Sequence, residues 1–466
     1  MRIDSLTNMG WGIGRVTLDT SRMNDNSNGA KEDENDETEP DERLWVVMVP
    51  HVVVGELVKV RVFRNQRQYS EADLLEVLEP SPHRVEPKCS LAGTCGGCQY
   101  QHMSIEAQRN WKTKHVEEVL QQQKIEGYKT AEALNVFPTM GTDETFHYRS
   151  KITPHYNAPR EIGEDEFQLE GIGFQQSSNR NIVDVPECPI ATEAINAKYK
   201  SVRDELYLKA EQGLLNQKKK KKRRGSHGGA LGATLLFRHA DDDAMTGEPV
   251  VVTDHNQYMT TTVKDLKFRY LAGNFFQNNN FVLPLMVDSV LEAASKPTFS
   301  GEVPTHLIDC YCGSGLFALS AASKFDLCVG IEVNNKAVAE ATANAELNGI
   351  TNCQFVAASA EAIFTSPPSL EVEGHKDKEV KDFPREKTVV VLDPPRKGCS
   401  EEFLEQLYEY GPQRIVYMSC GPATQARDAK GIVEVGGYEI VSTQPFDLFP
   451  QTKHIECLMI FEKKRQ

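Results

Sequence analysis

From residue 305 to the C-terminus, short apolar runs alternate with longer stretches whose apolar positions recur at helical spacing. The runs are HLIDCYC (306–312), LCVGIEV (327–333), CQFVAAS (353–359), TVVVLDPP (388–395), RIVYMSC (414–420), YEIVSTQPF (438–446) and HIECLMIFE (454–462). Each is rich in β-branched residues and too short for a helix, so each predicts a strand. Strands alternating with helices predict a doubly wound, Rossmann-like α/β sheet. Residues 1–80 follow another rhythm. WVVMVP, VVVGELVKVRVF and EADLLEVLE are β-branched runs parted by turns, as in a compact barrel.

Between these regions the pattern is mixed. Residues 82–100 are rich in Cys, Gly and Pro and predict a loop framework. SIEAQRNWKTKHVEEVLQQQK (104–124) predicts a helix capped by Ser104, packed on the C-terminal domain. Three regions follow: 1–80, a small α+β central region at 81–270, and 271–466. Three polar segments interrupt them. Residues 21–43 are acidic and almost free of apolar side chains, which predicts a disordered insertion. Residues 217–233 form a basic, Gly-rich loop, and 365–386 a charged insertion.

Composition narrows the class. The 466 residues suffice for two or three domains, and 39% hydrophobic with 26% charged residues is ordinary for a soluble protein. No apolar run approaches the roughly 20 residues of a membrane helix. The start, MRIDSLTNMGWGIGRV, lacks the basic and apolar blocks of a secretory signal. Eleven cysteines without such a signal point to a reducing, intracellular setting, the cytoplasm first, where clustered thiols suggest metal. The net charge of −15 argues at first against a nucleic-acid partner. Residues 31–43 and 161–170, however, carry −6 and −5 of it, while KKKKKRR stands at 218–224. Local charge, not the total, decides affinity for phosphates. The basic run suits a functional role, RNA binding or a nuclear signal, and a solvated insertion loop about equally.

Candidate chemistry begins in DCYCGSGLFALSAA (309–322), between a strand and a helix. Gly313 and Gly315 permit a tight turn and close approach to a ligand. Glu332, about twenty residues on at the next strand's end, is placed to take ribose hydroxyls. With Ala318 as third member, the turn also fits a dinucleotide fingerprint, so a dehydrogenase competes here. The later strand ends decide. Asp393 stands in LDPPRKG after the fourth strand, and Cys420 in SCGPATQARD after the fifth, before a helix whose positive end favours a thiolate. Glu456 follows DLFPQTKHI, and Gln277 lies in FFQNNN upstream. Taken singly, such a Cys is usually a small buried hydrophobe and such a Glu a solvated edge. Together they suit methylation of uracil carbon 5. A thiolate adding to carbon 6 makes carbon 5 enolate-like, and a carboxylate then removes the carbon 5 proton. A dehydrogenase leaves that Cys and Glu without a role. An amino-group methyltransferase of the DPPY type has an aromatic where Arg396 stands.

At DCYCGSG, FFQNN, LDPPRKG, SCGPATQARD and DLFPQTKHIE, in this order, the chain resembles the RNA uracil-C5 methyltransferases. The resemblance implies a class I methyltransferase sheet over 271–466, with S-adenosylmethionine as methyl donor. It implies Cys420 as nucleophile and Glu456 as general base. Gln277, Tyr311, Glu332 and Asp393 would contact cofactor or target base, with Ser359 at the third strand. Leu316 departs from a polar residue of related rRNA enzymes. LTNMGWGIGRV and VVVGELVKVRVF resemble the family's OB-like TRAM barrel, with Val54 in place of the usual Pro. The substrate is then tRNA or rRNA with a flipped uridine, and the enzyme a monomer with no membrane partner.

Cys89, Cys95 and Cys98 are spaced C-x5-C-x2-C, and Cys188 in VPECPI supplies a fourth thiol. Four thiolates suit zinc or iron–sulfur. Only one C-x2-C pair is present, and the resemblance implies a 4Fe–4S cluster in a structural or RNA-positioning role. The alternative class is a non-catalytic, RNA-binding iron–sulfur protein on a methyltransferase scaffold. Intact Cys420, Glu456 and Asp393 argue against it.

Overall fold

The computed structural model describes residues 1–17, 44–128, 130, 132–164, 166–216, 232–243, 249–362 and 383–464. The acidic segment 21–43, nearly all of 217–233 and most of 365–386 lie outside the described residues. The chain forms two compact units. One comprises Met1–Gly93, Cys98–Trp111 and Gln451–Lys453, the other Thr94–Gly97, Lys112–Pro450 and His454–Gln466. Among the described residues no helix is long and apolar enough to cross a membrane.

In the first unit, the β-branched runs form a five-stranded sheet ordered Ser5–Leu6, Gly12–Thr17, Leu44–Val49, Tyr69–Glu79, Leu57–Asn65. Its two ends meet through the chain start. Met1 and Val58 exchange two bonds of 2.8 Å, and Arg2 bridges to Leu57. Pairing both edges this way leaves fewer open strand groups and encloses Ile3, Val47, Val49, Val52, Val58 and Ala72.

The second unit is built on a seven-stranded sheet. Its strands are β1 (His306–Cys310), β2 (Leu327–Glu332), β3 (Cys353–Ala357), β4 (Thr388–Leu392), β5 (Arg414–Ser419), β6 (Tyr438–Phe446) and β7 (Glu456–Lys463). All seven lie within a few residues of the apolar runs that predict them. The order is β3-β2-β1-β4-β5-β7-β6, and only β7 runs antiparallel to its neighbours. Buried on both faces, the central parallel strands are apolar at almost every position. Alternate residues feed opposite cores. Ile308, Val390 and Ile415 face one, and Leu307, Val389 and Val416 the other. The helix Ile105–Gln122 matches its prediction to within two residues, and Val116 and Leu120 bury into the first core.

The connecting helices are α1 (Leu283–Ser295), α2 (Leu316–Ala321), α3 (Asn335–Leu347), α4 (Glu401–Tyr410) and α5 (Pro422–Glu434). Among the smaller strands of the central region, Leu266–Leu271 is the edge of its sheet. One face of α3 satisfies that edge. Asn348, at the helix end, bonds both backbone groups of Lys267, Asn344 accepts from Arg269 N at 2.7 Å, and Glu340 accepts from Leu271 N at 3.0 Å. The match is geometric. Residues four apart on a helix rise about 6 Å, and alternate residues of a strand lie about 7 Å apart.

Candidate active site

The turn after β1 is strained and tightly held. Tyr311 has φ +66°, a costly value for a residue with a Cβ, and Gly313 and Gly315 follow at +54° and +90°. At Gly315 a Cβ would also meet Leu319 and Phe355 at 3.0 Å. The Gly313 N–H donates to Glu332 at 3.2 Å, and Asn334 N–H donates to the other Glu332 oxygen at 2.8 Å. Each oxygen keeps a second lone pair, so Glu332 retains acceptors for a ribose. Ser314 Oγ donates to Glu340 at 3.0 Å. That carboxylate also holds Asn274 Nδ2 at 2.7 Å, so it joins this turn to the segment leading to Gln277.

Asp309 lies within the same turn's strand and was not singled out by sequence. It is fully buried, and only one carboxyl oxygen is used, by Ala318 N–H at 3.0 Å. The other has no hydrogen-bond partner among the described residues. Burial pushes its pKa up to about 8, aided by Asp393 and Glu332 nearby. An orphaned buried acceptor costs about 1–3 kcal/mol unless a ligand completes it, so this turn fits a group that donates hydrogen bonds. The only signal in the sequence is an acid inside an otherwise apolar strand.

The catalytic candidates gather at the carboxyl ends of β4 and β5, the strands that follow β1 in the sheet order. Asp393 directly follows β4, its N–H 3.4 Å from the Cys310 carbonyl, and burial raises its pKa to about 7. Cys420 directly follows β5, half-buried ahead of α5. Ser419 pairs with Cys457 across β5 and β7, so the next pair of that antiparallel register is Cys420 with Glu456. Gln425 fixes the register below them. Its Nε2 donates to the carbonyls of Tyr417 (2.9 Å) and Cys457 (3.0 Å). Thr424 Oγ1 bonds the Arg396 carbonyl at 3.0 Å and so ties the LDPPRKG loop to the Cys420 turn.

Electrostatics differ from the expectation of a dipole-activated thiolate. The Cys420 thiol is pushed up to about 11 by burial and by the negative fields of Glu456 and Asp393, with Arg396 opposing them. A helix end contributes a fraction of a charge, and two carboxylates outweigh it. Glu456 is 4% exposed, and its pKa rises to about 8 through burial and Asp393, while Arg396 and Lys112 pull it down. Lys112 is itself buried, paired with Asp447 at 2.5 Å. Arg396, noted in the sequence only as a non-aromatic, is therefore the cation shared by Cys420 and Glu456.

Gln277 is buried in a loop that a buried arginine shapes. Arg238 donates to the carbonyls of Ala272 (3.3 Å), Asn274 (2.6 Å) and Phe276 (3.0 Å) and lies 4.6 Å over the Tyr270 ring. Asn279 then joins the Gln277 loop to the loop before Glu456, donating to Leu448 O at 2.9 Å. Tyr311 packs edge-on against Phe403. Ser359 bonds Glu361, which also accepts from Ser400 at 2.8 Å.

No group of three or more His, Cys, Asp or Glu side chains is arranged to hold a metal among the described residues. Within the second unit, Cys95 lies close enough to Cys188 to raise its pKa. Cys89 and Cys98 belong to the first unit. Cys95 and Cys188 are thus the pair of the four that one unit itself brings together.

Comparison with known proteins gives consistent matches. A family model described as tRNA (uracil-5-)-methyltransferase matches residues 245–464. A tRNA (uracil(54)-C(5))-methyltransferase of Schizosaccharomyces pombe is 36% identical over 90% of this chain and 74% of its own length. The Saccharomyces cerevisiae protein of the same description is 30% identical over 91% and 70%. An uncharacterized RNA methyltransferase of Halalkalibacterium halodurans is 31% identical over 90% and 93%. The crystal structure of Pyrococcus abyssi tRNA (uracil-54, C5)-methyltransferase with S-adenosyl-L-homocysteine superposes with a TM-score of 0.63 at 21% identity. It covers 99% of this chain and 98% of that one, and the two share a fold.

Proposed function

The chain belongs to the tRNA (uracil-5-)-methyltransferase family, and on that premise we propose that it methylates carbon 5 of a tRNA uridine through a covalent adduct on Cys420. As a member of that family it is an RNA methyltransferase. The observation that carries the covalent reading is the register that sets Cys420 beside Glu456 at one sheet edge.

S-adenosylmethionine, when bound, supplies an electrophilic methyl group. Asp309, Glu332 and the 311–315 turn would hold it. The orphaned Asp309 oxygen suits its ammonium, and Glu332 its ribose. Cys420 loses its proton to solvent, which leaves Glu456 ionised for the later step, and its sulfur bonds to uracil carbon 6. This pushes the 5,6 electron pair toward the carbon 4 oxygen and makes carbon 5 a nucleophile. Once carbon 5 is methylated, Glu456 removes the carbon 5 proton, and the electron pair left behind expels the Cys420 sulfur. A carboxylate whose pKa is raised to about 8 is a stronger base than an exposed one. Direct proton transfer from a thiol near 11 to that base is uphill by about 4 kcal/mol. Arg396, beside both groups, favours the thiolate of Cys420 and the carboxylate of Glu456 alike. Gln277, Asp393 and Ser359 serve as binding residues in this reading. Because Glu456 is buried, the uridine must leave its stack to reach it.

The yeast relatives, by description, act on uracil 54 of tRNA, which favours a T-loop over an rRNA loop. Residues 1–80 serve as an RNA-binding, TRAM-like barrel and 81–270 as a central domain. A 4Fe–4S cluster on Cys89, Cys95, Cys98 and Cys188 is a separate proposal, supported by the Cys95–Cys188 approach, and no step of methyl transfer runs through it. Incubating the protein with unmodified tRNA and methyl-labelled S-adenosylmethionine tests the reading. Label in 5-methyluridine is expected, and label in rRNA fragments alone would contradict the tRNA assignment.

A further inference from the structure

Three cations cluster beside the Gln277 loop, and the proposed chemistry uses none of them. Arg149 and Lys151 are half-buried, and Arg238 is fully buried. Among the described residues none of the three forms an ion pair. Arg238 spends its guanidinium on the carbonyls of residues 272, 274 and 276. Glu340, the acid in its field, is occupied by Ser314, Leu271 and Asn274. Among the described residues Arg149 uses only Nε, on Lys151 O at 3.0 Å, and its guanidinium lies 5.7 Å over the Phe449 ring. Lys151 makes one long bond, 3.5 Å to Asn274 O. Burial and the two arginines lower the Lys151 pKa to about 8, with no acid compensating.

Packing like charges without a counterion is unfavourable, and an anion relieves it. The place matters as much as the charge. Arg149 pairs by backbone with Asn279, Ser150 N donates to Asn278 O at 2.9 Å, and Lys151 reaches Asn274. Both side chains thus flank the segment that carries Gln277. Phe449, under Arg149, precedes Glu456 by seven residues. A nucleotide whose base enters between these segments leaves its phosphate outside, where Arg149 offers two unused terminal nitrogens and Lys151 an ammonium.

We propose that Arg149 and Lys151 form a phosphodiester-binding site that grips the RNA backbone at the target uridine. This rests on the reading of the protein as an RNA methyltransferase acting on a flipped uridine. The alternative source of an oxyanion is the cofactor's carboxylate, and the test separates the two.

Binding of an unmodified tRNA transcript is measured against salt concentration for wild type, Lys151→Gln, Arg149→Gln and Lys151→Arg. Binding of S-adenosylhomocysteine is measured in parallel, and thermal melting checks the fold. Each Gln variant is expected to bind tRNA about tenfold more weakly near 0.1 M salt. The slope of log affinity against log salt should fall by about one. Lys151→Arg restores both, and S-adenosylhomocysteine affinity stays within about twofold. An unchanged slope in both folded Gln variants overturns the site. Weakened S-adenosylhomocysteine binding with intact tRNA binding assigns the pair to the cofactor and equally overturns it. Failure of the underlying reading looks different: wild type would transfer no methyl group to any RNA.

Discussion

Cys420 and Glu456 occupy facing positions one step beyond the Ser419–Cys457 pair of the antiparallel β5–β7 ladder. The carboxyl end of one strand therefore meets the amino end of its neighbour. A parallel β7 would carry Glu456 to the far side of the sheet, so the one reversed strand is what brings the proposed nucleophile and base together.

That proximity has a pH signature. In the proposed mechanism Glu456 must be ionised to take the carbon 5 proton, and burial raises its pKa to about 8. Breakdown of the covalent intermediate should accelerate with rising pH through about 8 and level off above it. Arg396 lowers the pKa of both Glu456 and Cys420, so Arg396→Gln should move the rising limb to higher pH. Single-turnover rates between pH 6 and 10 check both statements, and an unmoved limb in Arg396→Gln would remove Arg396 from this role.

As a proposed cofactor contact, Asp309 would exchange stability for binding. Its folded pKa of about 8 lies above its ordinary 3.8, so the folded state holds the proton more tightly, and stability falls as pH rises from about 4 to 8. Asp309→Asn removes that loss. The variant is expected to melt about 2–5 °C higher than wild type at pH 8.5 and to bind S-adenosylhomocysteine at least tenfold more weakly. Equal melting of the two proteins at pH 8.5 would contradict the buried-carboxylate account.

Glu340 ties Ser314 of the 311–315 turn to Leu271 and Asn274. Glu340→Ala leaves three donors unpaired. A loss of about 2–4 kcal/mol in denaturant unfolding is expected, together with a raised KM for S-adenosylmethionine. Glu340→Gln, which keeps one acceptor oxygen, should recover part of both losses.

Much of this was legible in the chain itself, for physical reasons. Parallel strands buried on both faces must be apolar throughout, so β1 to β5 stand out as runs. Ser104 and the spacing after it mark the helix Ile105–Gln122. The strands of the central region, several only two to four residues long, leave no such pattern. Cys420, Asp393 and Glu456 were readable as residues at strand ends, but their mutual fields were not. The dipole argument for a Cys420 thiolate used only local sequence, whereas burial and the carboxylates of Glu456 and Asp393 come from distant segments. The Lys112–Asp447 pair joins positions 335 residues apart, and no local pattern announces it.

The central claim is the covalent role of Cys420, and trapping tests it most directly. Without its base, the adduct should form but not break down. Glu456→Gln incubated with tRNA and S-adenosylmethionine should give a protein–RNA band stable to denaturing electrophoresis. The double variant carrying Cys420→Ala as well should give none, while still binding tRNA. An adduct that persists in the double variant, or a normal methylation rate in Cys420→Ala alone, would contradict the account.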